Sequence, residues 1–300
     1  MKNIITFPSD RPLLLDKNGV PRAVVLIHSQ SGIDITGELL PAIPPEDLLE
    51  STSLKNLFSA VQKEDELRSL ELDAMDHAAI AVRTWALDTQ GEKPFVTLAM
   101  DPIMLSQWVA SRTIFATLST EDRISHTQQT ELGFDSLFGT HLGYTATVVT
   151  SDNQLVCVRR TGKLLADGLS DSAIGDTALL SDVVAGSWSA HDAIIIAGKR
   201  FLGLEPTDFE SLTVALVAVR VDDSGLWVSG HAKIKLTAEE LVESVMQKSN
   251  YPDASRVRFL PWNKQAAEIA LSEGEWTPWG IADLASAISI DFGEPIQKWN

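Results

Sequence analysis

The run Leu142-Gly-Tyr-Thr-Ala-Thr-Val-Val-Thr150, with the turn Ser151-Asp-Asn153 and the run Gln154-Leu-Val-Cys-Val-Arg-Arg160, decides the fold of this 300-residue chain. Both runs are rich in apolar and β-branched residues and are separated by turn-forming residues. This pattern predicts two strands joined by a short turn. Further along, a helical segment is predicted from Ala190 to the Gly203-Leu204 pair.

The sequence that follows the helix alternates between strand and helix patterns. The turn Asp222-Asp-Ser-Gly225 separates apolar runs at 212–221 and 226–236, which predicts a hairpin. Thr237 and Glu240 have the spacing of a capping box at the start of a helix. A strand at 256–260 and a helix that begins at Trp276-Thr-Pro-Trp-Gly280 complete this part of the chain.

The sequence that precedes the deciding stretch has similar but weaker signals. We expect a strand at 23–28, a helix from Pro44-Pro45, a hairpin of strands at 78–87 and 95–100, and a helix that begins at Asp101-Pro102. The polar stretch 119–129 suits a linker. The sequence therefore predicts an α/β protein with an N-terminal α/β accessory region at 1–125 and a second domain at 126–300.

Composition excludes several classes of function. The formal net charge of −17 disfavours nucleic-acid binding, which requires a basic surface, and it also disfavours anionic membranes. The single cysteine, Cys157, lies within an apolar run, so it forms no disulfide framework and is expected to be buried. No run is long and apolar enough to span a bilayer, and no secretory signal is recognisable, so a cytoplasmic location is expected.

Several phrases in the second half resemble the Nudix hydrolases. They are Phe138-Gly-Thr-His-Leu-Gly143, the strand that ends in Arg159-Arg160, the helix that ends in Gly203-Leu204, and the Trp-x-Pro-Trp-Gly280 phrase. The chain looks most like the actinobacterial Nudix-like proteins and the UDP-sugar-cleaving branch, over residues 132–293. The resemblance implies a Nudix-like mixed β-sheet sandwiched by helices and a nucleotide or nucleotide-sugar diphosphate as ligand. His141 and Gly143 match the family phrase that precedes the core, and we expect them to have a structural role.

The catalytic box of that family is degenerate in this chain. If Gly203-Leu204 marks the end of the box, the paired metal-binding glutamates are replaced by Arg200 and Phe201, and the earlier glutamate by Trp188. No glutamate lies between residues 170 and 204. Because Mg²⁺ requires oxygen ligands, these positions cannot assemble a conventional metal-dependent hydrolase.

Three interpretations of the helix remain open. It is a core helix without a ligand; or Lys199 and Arg200 bind a phosphate directly; or carboxylates elsewhere rebuild an Mg²⁺ site. The carboxylates available for such a site are Asp176, Asp182, Asp192, Glu205, Asp208 and Glu210.

Two further positions are candidates for ligand contact. Only one of Arg159 and Arg160 can face a ligand cavity, because side chains alternate along a strand, and exposure to water is the other interpretation. His231 shares a strand face with Trp227 and Lys233, so it is either a ligand contact or part of an edge-strand surface. The predicted ligand-binding set is therefore Arg159, Arg160, Lys199, Arg200 and His231.

The functional prediction is a Nudix-fold protein that binds a nucleotide or nucleotide-sugar diphosphate without hydrolysing it and without a cofactor. The alternative is an active nucleoside-diphosphate-linked pyrophosphohydrolase that uses relocated carboxylates and Mg²⁺. A third interpretation is an interaction module, either a homodimer or the partner of another protein. It would gain support if several of the eight tryptophans were exposed.

Overall fold

The deciding stretch folds as its residue pattern predicts. In the computed structural model, β6 (Leu142–Val149) and β7 (Gln154–Arg159) are antiparallel neighbours. Asn153, in the turn between them, adopts a positive φ of 55°, a conformation that asparagine tolerates better than most residues. The structure describes residues 13–15, 18, 21–39, 78–104, 119–121, 141–160, 168–221, 225–248 and 256–294.

The other elements follow in chain order. The remaining strands are β1 (Leu13–Leu15), β2 (Pro21–His28), β3 (Asp34–Leu39), β4 (Ala78–Asp88), β5 (Phe95–Met104), β8 (Ser170–Ser172), β9 (Ile174–Thr177), β10 (Ser187–Ser189), β11 (Phe209–Arg220), β12 (Leu226–Ile234) and β13 (Val257–Pro261). The helices are α1 (Ala190–Leu202), α2 (Ala238–Lys248), α3 (Lys264–Glu273) and α4 (Pro278–Phe292). Short 3₁₀ turns lie at Leu180–Asp182 and Pro206–Asp208.

The larger sheet is mixed. Its strands follow the order β1-β2-β11-β12-β6-β7-β13, with β8 beside β7 and β9 beside β6. β12 and β6 are parallel, whereas β11 and β12 form the antiparallel hairpin that the sequence predicts. A smaller sheet has the order β10-β3-β5-β4, in which β3 and β5 are parallel. The predicted α/β class with a mixed sheet is confirmed, and it is consistent with the fold that the resemblance implies.

The larger sheet lies between helices. On one face, α1 packs against β6 and β9 and contributes Ala193, Ile194 and Ala197 to the main core with Tyr144 and Trp188. On the other face, α4 contributes Ile281, Leu284 and Ile288 to a second core with Trp276 and Trp262. Trp188 is 1% exposed, so it belongs to the core.

Local capping explains where the helices begin and end. The hydroxyl of Ser189 accepts a hydrogen bond from the Asp192 amide, and α1 ends at Gly203, whose φ of 67° favours glycine. The predicted capping box of α2 is confirmed, because Glu240 Oε2 accepts from the Thr237 amide at 2.8 Å. At α4, the Thr277 hydroxyl accepts from the Gly280 amide at 2.9 Å.

The prediction that a helix begins at Asp101-Pro102 is wrong. Residues 101–104 extend β5, and Pro102 lies opposite Ile80 of β4. The described pairing of β5 with β3 ends at Met100, so among the described residues no β3 residue lies opposite Pro102. The helix predicted from Pro44-Pro45 and the boundary at 125/126 lie outside the described residues, so the two-domain division stays a prediction.

Two sequence expectations concern individual segments. Cys157 is buried in β7, as predicted. Within the described part of the chain, no helix combines the length and hydrophobicity needed to cross a membrane.

Candidate functional site

A cavity of about 140 Å³ lies at the end of the larger sheet where β12 begins and β11 ends. Two arginines and two tryptophans from four different elements line it, together with His141, Asp171 and Asp176. We call the set Arg160, Arg220, Trp227 and Trp279 the arginine–tryptophan cleft.

Sheet topology brings these four residues together. Arg220 ends β11 and Trp227 is the second residue of β12, so the hairpin places them side by side. Arg160 follows the last residue of β7, and Trp279 lies in the first turn of α4. Because β6 separates β7 from β12, Arg160 reaches the cleft from two strands away.

The guanidinium of Arg220 lies against two neighbouring indoles, whose ring centroids are 5.5 Å apart. Its Cζ lies 5.2 Å from the centroid of the Trp227 ring and 4.7 Å from that of Trp279. The Cζ of Arg160 lies 5.2 Å from the Trp279 centroid. Arg220 is only 3% exposed, so these cation–π contacts operate in a largely desolvated place, where they are worth about 2 kcal/mol.

Gly143 provides the space that Trp227 occupies. A Cβ added at Gly143 would lie 1.7 Å from Cζ3 of the Trp227 ring. The two residues are cross-strand partners in the parallel pair of β6 and β12. The glycine of the family-like lead-in phrase is therefore required for the position of the cleft wall.

Asp171 anchors Arg160 and the start of α4. Its Oδ2 accepts from Arg160 Nη1 at 2.7 Å, and its Oδ1 accepts from the Thr277 hydroxyl at 3.0 Å. Asp171 is 4% exposed, and burial raises the pKa of its carboxyl although the charge of Arg160 acts to lower it. Asp171 thereby fixes both Arg160 and the helix that carries Trp279.

A second buried carboxyl, Asp283, lies behind the tryptophans. It is 0% exposed, and its Oδ1 accepts from the Thr145 hydroxyl at 2.5 Å, while its Oδ2 accepts from the hydroxyl of Ser172. Thr145 in turn accepts from Trp227 Nε1 at 2.8 Å. Burial raises the pKa of Asp283 to about 7, and the hydrogen bonds from the hydroxyls offset only part of that effect.

The predicted arginine pair divides as alternation requires. Arg160 lines the cleft, whereas Arg159 is exposed. Arg159 is therefore the residue exposed to water, and Arg160 is the residue that contacts a cavity.

Lys199 and Arg200 lie in the last turn of α1, and both contact carboxylates. Lys199 Nζ lies 3.0 Å from Glu205 Oε2 on the exposed surface. Arg200 binds Asp176 Oδ2 at 2.5 Å and Asp182 Oδ1 at 3.3 Å. Arg200 therefore holds together two acids that the sequence offered as metal ligands, and the side chain of Asp182 is 2% exposed.

His231 is buried rather than part of an edge-strand surface, so that interpretation is wrong. β12 lies inside the sheet between β11 and β6, and His231 is 3% exposed. Its Nε2 lies 3.0 Å from Asp291 Oδ2, which also accepts from Trp262 Nε1 at 2.7 Å. Burial acts to raise the pKa of Asp291, but the hydrogen bond and charge of His231 outweigh it and lower the pKa.

The carboxylates of the predicted alternative metal site do not converge. Glu205 pairs with Lys199, Asp208 accepts from the Glu205 amide at 2.8 Å, and Glu210 is exposed at the start of β11. Among the described residues, no group of three or more histidine, cysteine, aspartate or glutamate side chains has the arrangement of a metal site.

The sequence argument missed Arg220, Trp279 and Asp283. Their signals are present but weak: Arg220 ends a strand as Arg160 does, and Trp279 belongs to the Trp-x-Pro-Trp-Gly280 phrase.

A larger cavity of about 460 Å³ lies between β3, β5 and β11. One glycine, five apolar residues and six polar residues line it, among them Asp34, Lys93 and His191.

The comparisons with known proteins show distant likenesses in structure. No protein-family model and no curated protein matches the chain. The crystal structure of DR0079 from Deinococcus radiodurans is 15% identical, with 48% of this chain and 80% of that chain covered and a TM-score of 0.34. Tm1382, a candidate Nudix hydrolase, is 7% identical, with 72% and 100% covered and a TM-score of 0.34.

Proposed function

We propose that this protein is a Nudix-like, non-hydrolytic binder of a nucleotide or nucleotide-sugar diphosphate. The diphosphate lies in the arginine–tryptophan cleft, and no metal is required to hold it. The single observation that supports this proposal is the buried guanidinium of Arg220 packed against Trp227 and Trp279, beside Arg160 in the same cavity.

The chemistry of the cleft matches an anion with planar groups. A guanidinium that makes cation–π contacts still presents its N–H groups in its own plane, which is the geometry in which arginine binds phosphate. A hydrogen bond to a charged group contributes about 1.5–3 kcal/mol. Four such bonds from two bidentate arginines would contribute about 6–12 kcal/mol before the entropic cost of binding, and a micromolar Kd corresponds to about 8 kcal/mol.

The size of the cavity limits which part of the ligand enters. Sites that enclose a whole small molecule usually measure about 300–1,000 Å³. The 140 Å³ of the cleft suits a diphosphate or a single ring, while the rest of a nucleotide sugar extends beyond it. Specificity for the base or sugar then depends on the half-buried lining residues, including Asp176 and Thr177.

The contacts around α1 favour binding over hydrolysis. Where the Nudix box would place paired glutamates, Arg200 binds Asp176 and Asp182, and Phe201 packs against the core. An Mg²⁺ ion at these aspartates would have to compete with the guanidinium. The alternative of a hydrolase with relocated carboxylates therefore has no supporting contact among the described residues.

The interaction-module interpretation rested on exposed tryptophans. Five of the eight are buried in the described part of the chain, with exposures between 1% and 7%. The buried five are Trp188, Trp227, Trp262, Trp276 and Trp279.

Thermal-shift measurements test the proposal. UDP-glucose and ADP-ribose are screened with a chelator and, in parallel, with Mg²⁺, while chromatography follows any nucleoside monophosphate that is released. A ligand at about 100 times its Kd stabilises the native state by about 2.7 kcal/mol, so a bound compound raises the Tm by several degrees. We expect a shift that the chelator does not remove, and no product.

A matched pair of variants locates the site. Arg160→Gln removes a cleft cation, whereas Arg159→Gln removes the exposed neighbour. Arg160→Gln should abolish the ligand-induced shift, and Arg159→Gln should retain it. Equal behaviour of the two variants, or metal-dependent product formation by the unmodified protein, would contradict the proposed function.

A further inference from the structure

Asp283 is a buried carboxyl without a cationic partner. It is 0% exposed, and its side chain bonds to the hydroxyls of Thr145 and Ser172. No lysine, arginine or histidine contacts it within the described residues. Burial of a carboxylate is costly unless a cation or several donors compensate, so this site favours the protonated form more than an exposed aspartate does.

This carboxyl is connected to both tryptophan walls of the cleft. Thr145 accepts a hydrogen bond from the indole N–H of Trp227 and donates one through its own hydroxyl to Asp283. Trp279 lies one helical turn before Asp283 on α4. Both indoles that contact Arg220 are therefore linked to the position of Asp283.

A third connection leads to Arg160. The Ser172 hydroxyl donates to Asp283, while the Ser172 amide donates to Asp171 Oδ1 at 2.9 Å. Asp171 binds Arg160 at 2.7 Å. Ser172 and Asp171 therefore connect Asp283 to Arg160, the cation that lines the cleft.

We propose that Asp283 takes up a proton when an anionic diphosphate enters the arginine–tryptophan cleft, so that ligand affinity rises as pH falls. The inference rests on the proposed function and adds a regulatory property to the same site. Its physical basis is electrostatic: a second negative charge near a buried carboxylate favours protonation of that carboxylate. By thermodynamic linkage, protonation of Asp283 must then increase the affinity for the anion by the same factor.

Other charged groups occupy the elements around α4. They are Asp171 on β8, Arg160 and Arg220 at the ends of β7 and β11, His231 and Lys233 on β12, His28 on β2, Lys264 and Glu268 on α3, and Asp291 on α4 itself. Asp171 is the one whose charge raises the pKa of Asp283. Because that pKa is about 7, the carboxyl is half protonated near neutral pH and can respond in either direction.

Calorimetric titration with UDP-glucose tests the coupling, because the diphosphate diester itself does not titrate between pH 6 and pH 8.5. Paired buffers with different ionisation enthalpies report the number of protons taken up. A bound state that raises the pKa of Asp283 by about one unit predicts affinity roughly fivefold to tenfold tighter at pH 6 than at pH 8.5. Asp283→Asn should bind with little pH dependence and no proton uptake.

A measurement without ligand tests whether Asp283 titrates near neutral pH, which the coupling requires. Carboxyl ¹³C NMR of the free protein should show one aspartate that titrates near pH 7 and is lost in Asp283→Asn. Thr145→Val removes a donor to the carboxylate and should raise that midpoint by roughly one unit. Ser286→Ala is the control, since the Ser286 hydroxyl is buried on the same helix and makes no hydrogen bond to a described group.

The outcomes differ for the two ideas. If UDP-glucose binds but Asp283→Asn keeps the pH dependence, another group such as His141 is responsible and the coupling is overturned. A carboxyl midpoint below pH 5 would overturn it as well. If UDP-glucose binds at no pH, the proposed function fails for this ligand and the coupling fails with it, whatever the carboxyl titration shows.

Discussion

Replacement of Asp283 by asparagine should change how stability depends on pH. The native pKa of about 7 lies above the ordinary aspartate value of 3.8, so the native state binds this proton more tightly than the unfolded state does. The resulting stabilisation is fully present below pH 3.8 and is lost as pH rises to about 7. At about 1.36 kcal/mol per unit, the whole span amounts to about 4 kcal/mol.

The effect is measurable between pH 5 and pH 8. Between pH 5 and pH 8, the linkage relation predicts that the free energy of unfolding of the wild type falls by about 2.5 kcal/mol more than that of Asp283→Asn. Urea unfolding of both proteins at four pH values gives the difference in the free energy of unfolding. The contributions of Asp176 and Asp291 cancel in this difference, which reports Asp283 together with Asp171, the carboxyl whose charge acts on it.

An exposed aspartate provides the control. The side chain of Asp192 is 73% exposed, so Asp192→Asn should follow the wild type within about 0.5 kcal/mol at every pH. The reasoning is refuted if the difference between wild type and Asp283→Asn stays constant, within about 0.5 kcal/mol, from pH 5 to pH 8. Such a result would mean that the buried hydroxyls stabilise the carboxylate as well as water does.

Three further predictions concern the cleft and α1. Gly143→Ala should destabilise the protein by about 1–3 kcal/mol in chemical unfolding and abolish ligand binding, because its Cβ would collide with the Trp227 ring; an unchanged Tm would contradict the packing described. Arg220→Lys should weaken UDP-glucose binding at least tenfold in calorimetry, since an ammonium cannot stack on an indole and bind two oxygens in one plane; full affinity would remove Arg220 from the site. Arg200→Ala should cost about 1–3 kcal/mol of stability and leave ligand affinity unchanged, because it leaves the carboxylate of Asp182 without its guanidinium partner; a loss of affinity with unchanged stability would restore Arg200 as a ligand contact.

Local sequence patterns predicted most of the elements. Hairpins such as β11–β12, the capping box at Thr237 and the start of α4 depend on neighbouring residues, so a single sequence contains the necessary information. The error at Pro102 has the opposite origin. Whether a proline can continue a strand depends on whether a partner strand needs its amide, and that pairing involves the distant β3.

The site was predicted only in part, because it also depends on contacts between segments that are distant in the sequence. Arg160 was identifiable because it ends a strand, but its partners Arg220 and Trp279 come from β11 and α4. Their meeting depends on the parallel pairing of β6 with β12, which joins segments about eighty residues apart. The same pairing places β12 inside the sheet and buries His231, against the edge-strand interpretation.

A crystal structure of the protein with UDP-glucose tests the central claim most directly. We predict that the diphosphate oxygens lie about 3 Å from the guanidinium nitrogens of Arg160 and Arg220, with Trp227 and Trp279 still in contact with Arg220. A diphosphate bound instead at Lys199 and Arg200 at the end of α1, or a metal ion that bridges the diphosphate to Asp176 and Asp182, would contradict the account.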